Sequence, residues 1–371
     1  MLSKIKRLLS LMRSWLRYHC ENPRFTPCEI KYAATYSEKR KRVLHVIGNF
    51  ITGGSSRLVA DLAEHLGREY QMQVITKYLP FPVNYKGLDI KVCPESEGIE
   101  TAIRAYDPDL IHVHYWPENW YGQAFRAIEK FQIPVIENIN VPTAPYSSKA
   151  VKMFVYVSHY VKDRYSRNME ANVVIYPGTD FNFFHRRKIE IPLEHCIGMV
   201  YRLDNDKLNE DSIDPFIAVA RKASDVRCLI IGNGVNYRRY KEKVRRANVI
   251  RNFEFTGAVS FDRLQHFYEQ MSLFVAPVHA ESFGHVVPIA MGVGVPVVGY
   301  RVGALEEILG GTQMLVSPGD CESLADLTVS LLKDRSRRID ISRINQKRAT
   351  ELFSLESMIN SYRELYEKIL K

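Results

Sequence analysis

Residues 281–298 read ESFGHVVPIAMGVGVPVV. One carboxylate stands before Phe283-Gly284, an apolar run follows, Gly292 and Gly294 interrupt it, and a β-branched stretch closes it. Just upstream, a strand is expected to end at Val275–Ala276, and a loop from Pro277 to Ser282 delivers Glu281. Gly284 then opens a helix that ends near Gly292–Gly294, and residues 295–301 start the next strand. Strand, loop, helix and strand in this order make the repeating unit of a parallel sheet. A helix N-terminus offers free backbone N–H groups and a partial positive charge. Gly284 lets a ligand approach that backbone closely. The segment therefore reads as a phosphate seat with an acid beside it for hydroxyl groups such as those of a sugar, or as a plain strand-loop-helix with a capping acid.

The same rhythm extends in both directions. Short apolar strands are expected at 43–49, 73–78, 90–94, 110–116, 134–140, 153–159 and 172–178, with a glycine turn at 52–57 entering a helix over 57–67. Residues 179–195 break the rhythm and read as a connector. A second series follows at 196–202, 227–234, 252–259, 273–281, 295–301 and 313–318, and a last helix spans about 354–370. Two doubly wound α/β domains facing a central cleft are expected, with the ligand between them.

A chain of 371 residues exceeds one ordinary core. It is 46% hydrophobic and 25% charged, with no run of about eighteen apolar residues to cross a membrane. No signal peptide is expected. Six cysteines without a CxxC pair read as reduced thiols of a cytoplasmic protein. The net charge of +9 is concentrated: residues 1–42 carry +8, leaving +1 for the rest. That argues against a nucleic-acid partner, which would place the basicity on the fold itself. At helical spacing, Leu2, Ile5, Leu8, Leu9, Leu11, Met12, Trp15 and Leu16 fall on one half. Ser3, Lys6, Arg7, Ser10, Arg13, Ser14 and Arg17 fall on the other, and only Lys4 intrudes. Residues 2–18 are thus an amphipathic helix for an anionic membrane surface, or one packed on its own protein or a second subunit. Residues 20–42 read as a linker.

Three further segments carry polar groups at strand ends. Arg202 and Lys207 follow a strand at a spacing of five, as a diphosphate clamp or as solvated cations. His112 and His114 alternate on one strand face, as core histidines or with one facing the cleft; a metal pair lacks a third ligand of obvious spacing. NFITGGSSR (49–57) is a glycine turn that departs from both GxGxxG and the Walker A pattern.

From residue 43 onward the chain resembles a family 4 retaining glycosyltransferase of GT-B fold. The matching pieces are GGSSRLV, PDLIHVH, VSHYV, VIYPGTDFNFF, YRLDNDK, LIIGNG, FTGAVS, PVHAESFGHVVPIAMGVGVPVV, RVGALEEIL and SPGDCESLADL, in this order. The resemblance implies transfer of a sugar from a nucleotide-sugar, such as a UDP- or GDP-sugar, to an acceptor hydroxyl with retention, and with no cofactor or bound metal. It implies that Glu281 holds donor-sugar hydroxyls, that Phe283, Gly284, His285 and Val286 cradle the sugar and phosphate, and that Arg202 and Lys207 grip the diphosphate. It further implies that Gly53 and Gly54 face the donor phosphates and acceptor, and that His114 is the cleft histidine. Ile289 departs from the pattern: the family's second Glu, which binds the nucleotide ribose, is usual there. Leu208 replaces a usual Gly and Pro177 a usual Asn. The expected organisation is a basic helix and linker (1–42), an acceptor-side domain (43–190), a nucleotide-sugar domain (191–350) and a C-terminal helix (351–371) packing back on the first domain. A peripheral enzyme acting on a glycan or lipid-linked acceptor is the reading. A GT-B sugar-nucleotide epimerase, or a degenerate binding or scaffold subunit, are the alternatives.

Overall fold

The structure is a computed structural model and describes residues 28–29, 40–51, 53–80, 85–166, 171–184, 195–311 and 313–371. The amphipathic helix expected at 2–18 and residues 185–194 of the connector lie outside them. In chain order the first half contains β1 (Cys28–Glu29), β2 (Lys41–Asn49), α1 (Gly54–Leu66), β3 (Tyr70–Tyr78), β4 (Tyr85–Lys86), β5 (Ile90–Val92), α2 (Ser96–Tyr106), β6 (Leu110–Tyr115), α3 (Asn119–Ile128), β7 (Val135–Ile139), β8 (Val151–Tyr156), α4 (His159–Tyr165) and β9 (Asn172–Val174). The second half contains β10 (Cys196–Val200), α5 (Asp214–Lys222), β11 (Arg227–Ile231), α6 (Tyr237–Arg246), β12 (Phe253–Gly257), α7 (Leu264–Tyr268), β13 (Leu273–Ala276), α8 (Val286–Val293), β14 (Val297–Tyr300), α9 (Leu305–Leu309), β15 (Leu315–Val316), α10 (Cys321–Lys333), α11 (Arg335–Leu352) and α12 (Leu355–Leu370).

Two differences from the sequence reading are local. The expected linker contributes β1, paired in parallel with β4. The glycine turn is tighter than expected: Gly54 is already the first residue of α1 and Gly53 its N-cap.

The strands form two all-parallel sheets, ordered β5-β3-β2-β6-β7-β8-β9 and β12-β11-β10-β13-β14-β15. Central strands such as β2 are buried for six consecutive residues, Val43 to Gly48, because helices cover both faces. On one face of the first sheet, Leu58, Leu62 and Leu66 of α1 pack with Met358, Ile359, Tyr362 and Tyr366 of α12. On the other, Ile99 and Ile103 of α2 pack with Trp120, Ala124 and Phe125 of α3. The chain thus closes by returning α12 to the first sheet. A β-bridge between Thr179 and Ser354 secures the crossing, with Thr179 N donating to Phe353 O at 2.8 Å and Leu355 N to Thr179 O at 2.9 Å.

Strand order reverses beside β2 in the first sheet and beside β10 in the second. In each, the chain winds outward on one side, then returns to the other at β6 or β13. Flanking helices diverge at such reversals, so crevices open at the C-terminal ends of β2/β6 and β10/β13. Gly53, Arg202 and Glu281 all follow these strand ends.

Candidate active site

The second crevice is built around one ion pair. Lys207 Nζ donates to Glu281 Oε1 at 2.7 Å, and the Glu281 side chain is fully buried while Lys207 is partly open. Two backbone contacts fix this pair. His279 N donates to Lys207 O at 2.9 Å, and Ala304 N to Glu281 O at 3.1 Å. Gly303, with φ of +55°, lies so close that a Cβ would stand 1.9 Å from the Glu281 carbonyl oxygen. Glu281 Oε2 is buried and has no hydrogen-bond partner among the described residues. A buried carboxylate oxygen without a donor is costly, and a ligand hydroxyl is the kind of group that satisfies it. Arg202 stands apart: it is exposed and bonds Asp206 Oδ2 at 2.7 Å, one turn further on.

The segment after Glu281 divides by side chain. Gly284 has φ of +76°, and a Cβ there would meet the Glu281 carboxyl at 2.9 Å. Glycine is thus required twice, for the backbone conformation and for the approach of the acid. Phe283 is buried, its ring 5.7 Å from Tyr176 and 5.4 Å from Phe353. His285 Nε2 lies 3.2 Å from Thr179 Oγ1. Burial first, then the Arg57 and Lys207 charges, lower its pKa to about 4, so the ring is neutral near pH 7. Val286 opens α8, and its carbonyl accepts from Tyr268 OH at 3.0 Å. Ile289 stands where the resemblance places the family's ribose-binding Glu. Its side chain is 2% exposed and belongs to the apolar core of the second sheet. Leu208 is likewise core, so its departure from glycine fills the interior.

His114 also differs from expectation. It is the last residue but one of β6, beside the first crevice, but its ring is fully buried. Its Nε2 stands 3.1 Å from His45 Nδ1, and its ring centroid 4.3 Å from that of His112. His112 Nδ1 in turn meets Tyr366 OH at 2.8 Å. The cause is register: β2 pairs His45 with His112, so three imidazoles share the sheet face that α1 and α12 cover. The sequence offered two histidines, and the fold supplies a third from a neighbouring strand. One ring nitrogen from each lies within 4.8 Å of the others, within reach of a single ion. Burial lowers the pKa of all three, that of His45 to about 3, so the trio is neutral at pH 7.

Contacts between the halves use residues that the sequence motifs did not mark as site residues. Ser158 Oγ donates to Ser282 O at 2.7 Å, next to Glu281. The Glu307 carboxylate accepts from His159 N at 2.7 Å, Tyr160 N at 2.9 Å and Tyr176 OH at 2.6 Å. Arg57 near the start of α1 pairs with Asp61 at 2.6 Å and lies 5.4 Å from the Phe261 ring of the second half. Gly53 and Gly54 precede it, and a Cβ at either position would meet nothing within 4 Å, so the turn itself is open to a ligand. Arg57 lies inside the GGSSRLV motif and Glu307 inside RVGALEEIL; the motifs mark the segments without showing which side chain crosses.

Comparison with known proteins agrees with this architecture. The profile described as Glycosyltransferase Family 4 matches residues 52–183, and that described as Glycosyl transferases group 1 matches 194–334. An uncharacterised glycosyltransferase of Methanocaldococcus jannaschii is 26% identical over 348 residues, covering 85% of this chain and 95% of the relative. The N-acetyl-alpha-D-glucosaminyl L-malate synthase of Bacillus anthracis is 22% identical, covering 86% and 95%. Among solved structures, Anabaena HepE in complex with UDP and glucose has a TM-score of 0.74 at 16% identity, covering 89% of this chain and all of that one. Sucrose-phosphate synthase from Thermosynechococcus elongatus has a TM-score of 0.73 at 17% identity, covering 89% and 99%. Two profiles that between them match most of both halves, and two fold matches that each cover 89% of the chain, lead to one conclusion: the chain belongs to the family 4 glycosyltransferases and has the two-domain GT-B fold.

Proposed function

We propose that the protein is a retaining, metal-independent hexosyltransferase that moves a sugar from a UDP- or GDP-sugar to a glycan or lipid-linked acceptor in polysaccharide or glycolipid synthesis. The observation that carries this reading is the buried Glu281 carboxylate, one oxygen held by Lys207 and the other without a donor among the described residues. Residues 43–190 form the acceptor side and 191–350 the nucleotide-sugar side. The free oxygen of Glu281 accepts from donor-sugar hydroxyls. Lys207, Arg202 and the N–H groups opening α8 stabilise the diphosphate as it departs. The bond between the anomeric carbon and the diphosphate oxygen breaks. The acceptor oxygen attacks from the same face through an oxocarbenium-like transition state, and its proton passes to the departing diphosphate. No side-chain nucleophile is assigned. Because Ile289 is core, the nucleotide ribose is held without the carboxylate usual at that position. Residues 2–18 bring the enzyme to an anionic membrane from the cytoplasm. Among the described residues no helix is long and apolar enough to cross one.

The test begins with a thermal-shift screen of UDP- and GDP-sugars. The true donor stabilises the fold by about 2.7 kcal/mol at a hundredfold excess over its Kd. Transfer with that donor is expected to be unchanged by EDTA, and proton NMR of the product to show the donor's anomeric configuration. An inverted product contradicts retention. Loss of turnover in EDTA, restored by a divalent ion, contradicts the metal-free clamp and turns attention to the histidine trio.

A further inference from the structure

The cationic helix α6 is not used by the site described above. Its ten residues, YRRYKEKVRR, hold six cations and one acid. Residues 43–371 together net only +1, so without α6 the same body is net negative. Tyr240 and Val244 anchor the helix, fully buried, which turns Arg238, Arg239, Arg245 and Arg246 outward. Lys243 is taken up by Asp211 and Asp214, each at 2.8 Å, and Arg246 by Glu242. Arg238, Arg239 and Arg245 have no carboxylate partner among the described residues. Like charges crowded on one exposed turn repel one another, and a chain with ordinary acids elsewhere has not neutralised them.

Two further features accompany the charge. A cavity of about 620 Å³ opens over Arg238, Lys241, Arg245 and Arg246, with Glu242 as the one acid in its lining. At the two ends of the helix stand large exposed apolar side chains, Val235 at 62% and Ile250 at 40% exposure. Cations alone suit any polyanion. Cations bracketed by exposed apolar groups suit a bilayer, where the guanidinium groups meet phosphate headgroups and the apolar side chains enter the acyl boundary. The helix packs on β12, an edge strand two places from the β10/β13 crevice. A surface engaged there leaves the crevice open.

We propose that the outward face of α6 docks on an anionic phospholipid bilayer, as a second membrane contact independent of residues 2–18. The experiment uses the full chain and measures partition onto phosphatidylglycerol/phosphatidylcholine vesicles and onto phosphatidylcholine alone, over a range of salt. Wild type is compared with the triple variant Arg238→Gln, Arg239→Gln, Arg245→Gln. A second variant, Lys4→Gln, Lys6→Gln, Arg7→Gln, Arg13→Gln, Arg17→Gln, isolates the contribution of residues 2–18. The α6 variant is expected to bind anionic vesicles roughly a hundredfold more weakly, with a shallower salt dependence. Its melting temperature and UDP-sugar turnover on a soluble acceptor should stay at wild-type values. Val235→Ser with Ile250→Ser should weaken partition while keeping the salt slope. The proposal is overturned if the α6 variant partitions like wild type, or if only the N-terminal variant loses binding. It is equally overturned if the α6 variant loses affinity for a soluble polyanion such as polyphosphate but keeps vesicle binding. Loss of binding in the α6 variant with none in the N-terminal variant would support it and make α6 the main contact.

Discussion

At pH 5 the protein is expected to be several kcal/mol less stable than at pH 7.5, because its buried histidines, His45, His112, His114 and His285, must stay neutral to remain folded. His45, His112 and His114 are fully buried, and burial holds their folded pKa values far below the ordinary 6.5, at about 3 for His45. In the unfolded chain they protonate near 6.5. Below that value the unfolded state binds more protons, so stability is complete above about pH 6.5 and falls as the pH drops toward the folded values. Each group costs about 1.4 kcal/mol per pH unit, or about 2 kcal/mol at pH 5. Asp61 works in the opposite direction. Burial outweighs its partner Arg57 and pushes its carboxyl up to about 6, so protonation between pH 7 and 5 returns roughly 1 kcal/mol. The net loss approaches the whole stability of an ordinary domain. Urea unfolding followed by circular dichroism from pH 8 to 5 measures it. His112→Gln should flatten the profile, keeping about 2 kcal/mol more stability at pH 5 relative to pH 7.5 than wild type. A midpoint that does not move between pH 7.5 and 5 would mean that the trio is not buried and neutral.

The second large effect is on turnover. Lys207→Ala should lower kcat by two to three decades, about 2–4 kcal/mol, when measured with saturating donor. The cation acts where charge develops on the departing diphosphate, and the substitution also leaves the buried Glu281 carboxylate without its donor. A drop in melting temperature is therefore expected alongside the loss of rate. Arg202→Ala separates the two effects. Arg202 is exposed and among the described residues pairs only with Asp206, so its loss should reduce kcat with the melting temperature unchanged. Rates within threefold of wild type in both variants would remove the clamp from the mechanism.

Much of this was legible from the chain because the signals were local. Alternating apolar strands and helices marked out both sheets, and the strand-loop-helix at 273–293 located Glu281 ahead of α8. The errors lie where a distant partner decides. Whether His114 faces a crevice or a core depends on His45 in the adjacent strand and on Tyr366, about 250 residues away, neither visible in the spacing of HVH. Ile289 occupies a position that the resemblance assigned to the ligand, yet α8 turns it into the core, where isoleucine belongs. Glu307 looks like an ordinary helical acid until α4 and Tyr176 from the first half converge on its carboxylate.

The claim on which the account rests is that Glu281 reads the sugar of the donor. Calorimetric titration of UDP and of the matching UDP-sugar, or their GDP counterparts, into wild type and Glu281→Gln tests it directly. The account predicts that the variant binds the free nucleotide within about threefold of wild type, while the extra affinity contributed by the sugar falls roughly tenfold to a hundredfold, the size of a hydrogen bond to a charged group. An equal weakening of nucleotide and nucleotide-sugar, or no change in either, would contradict it.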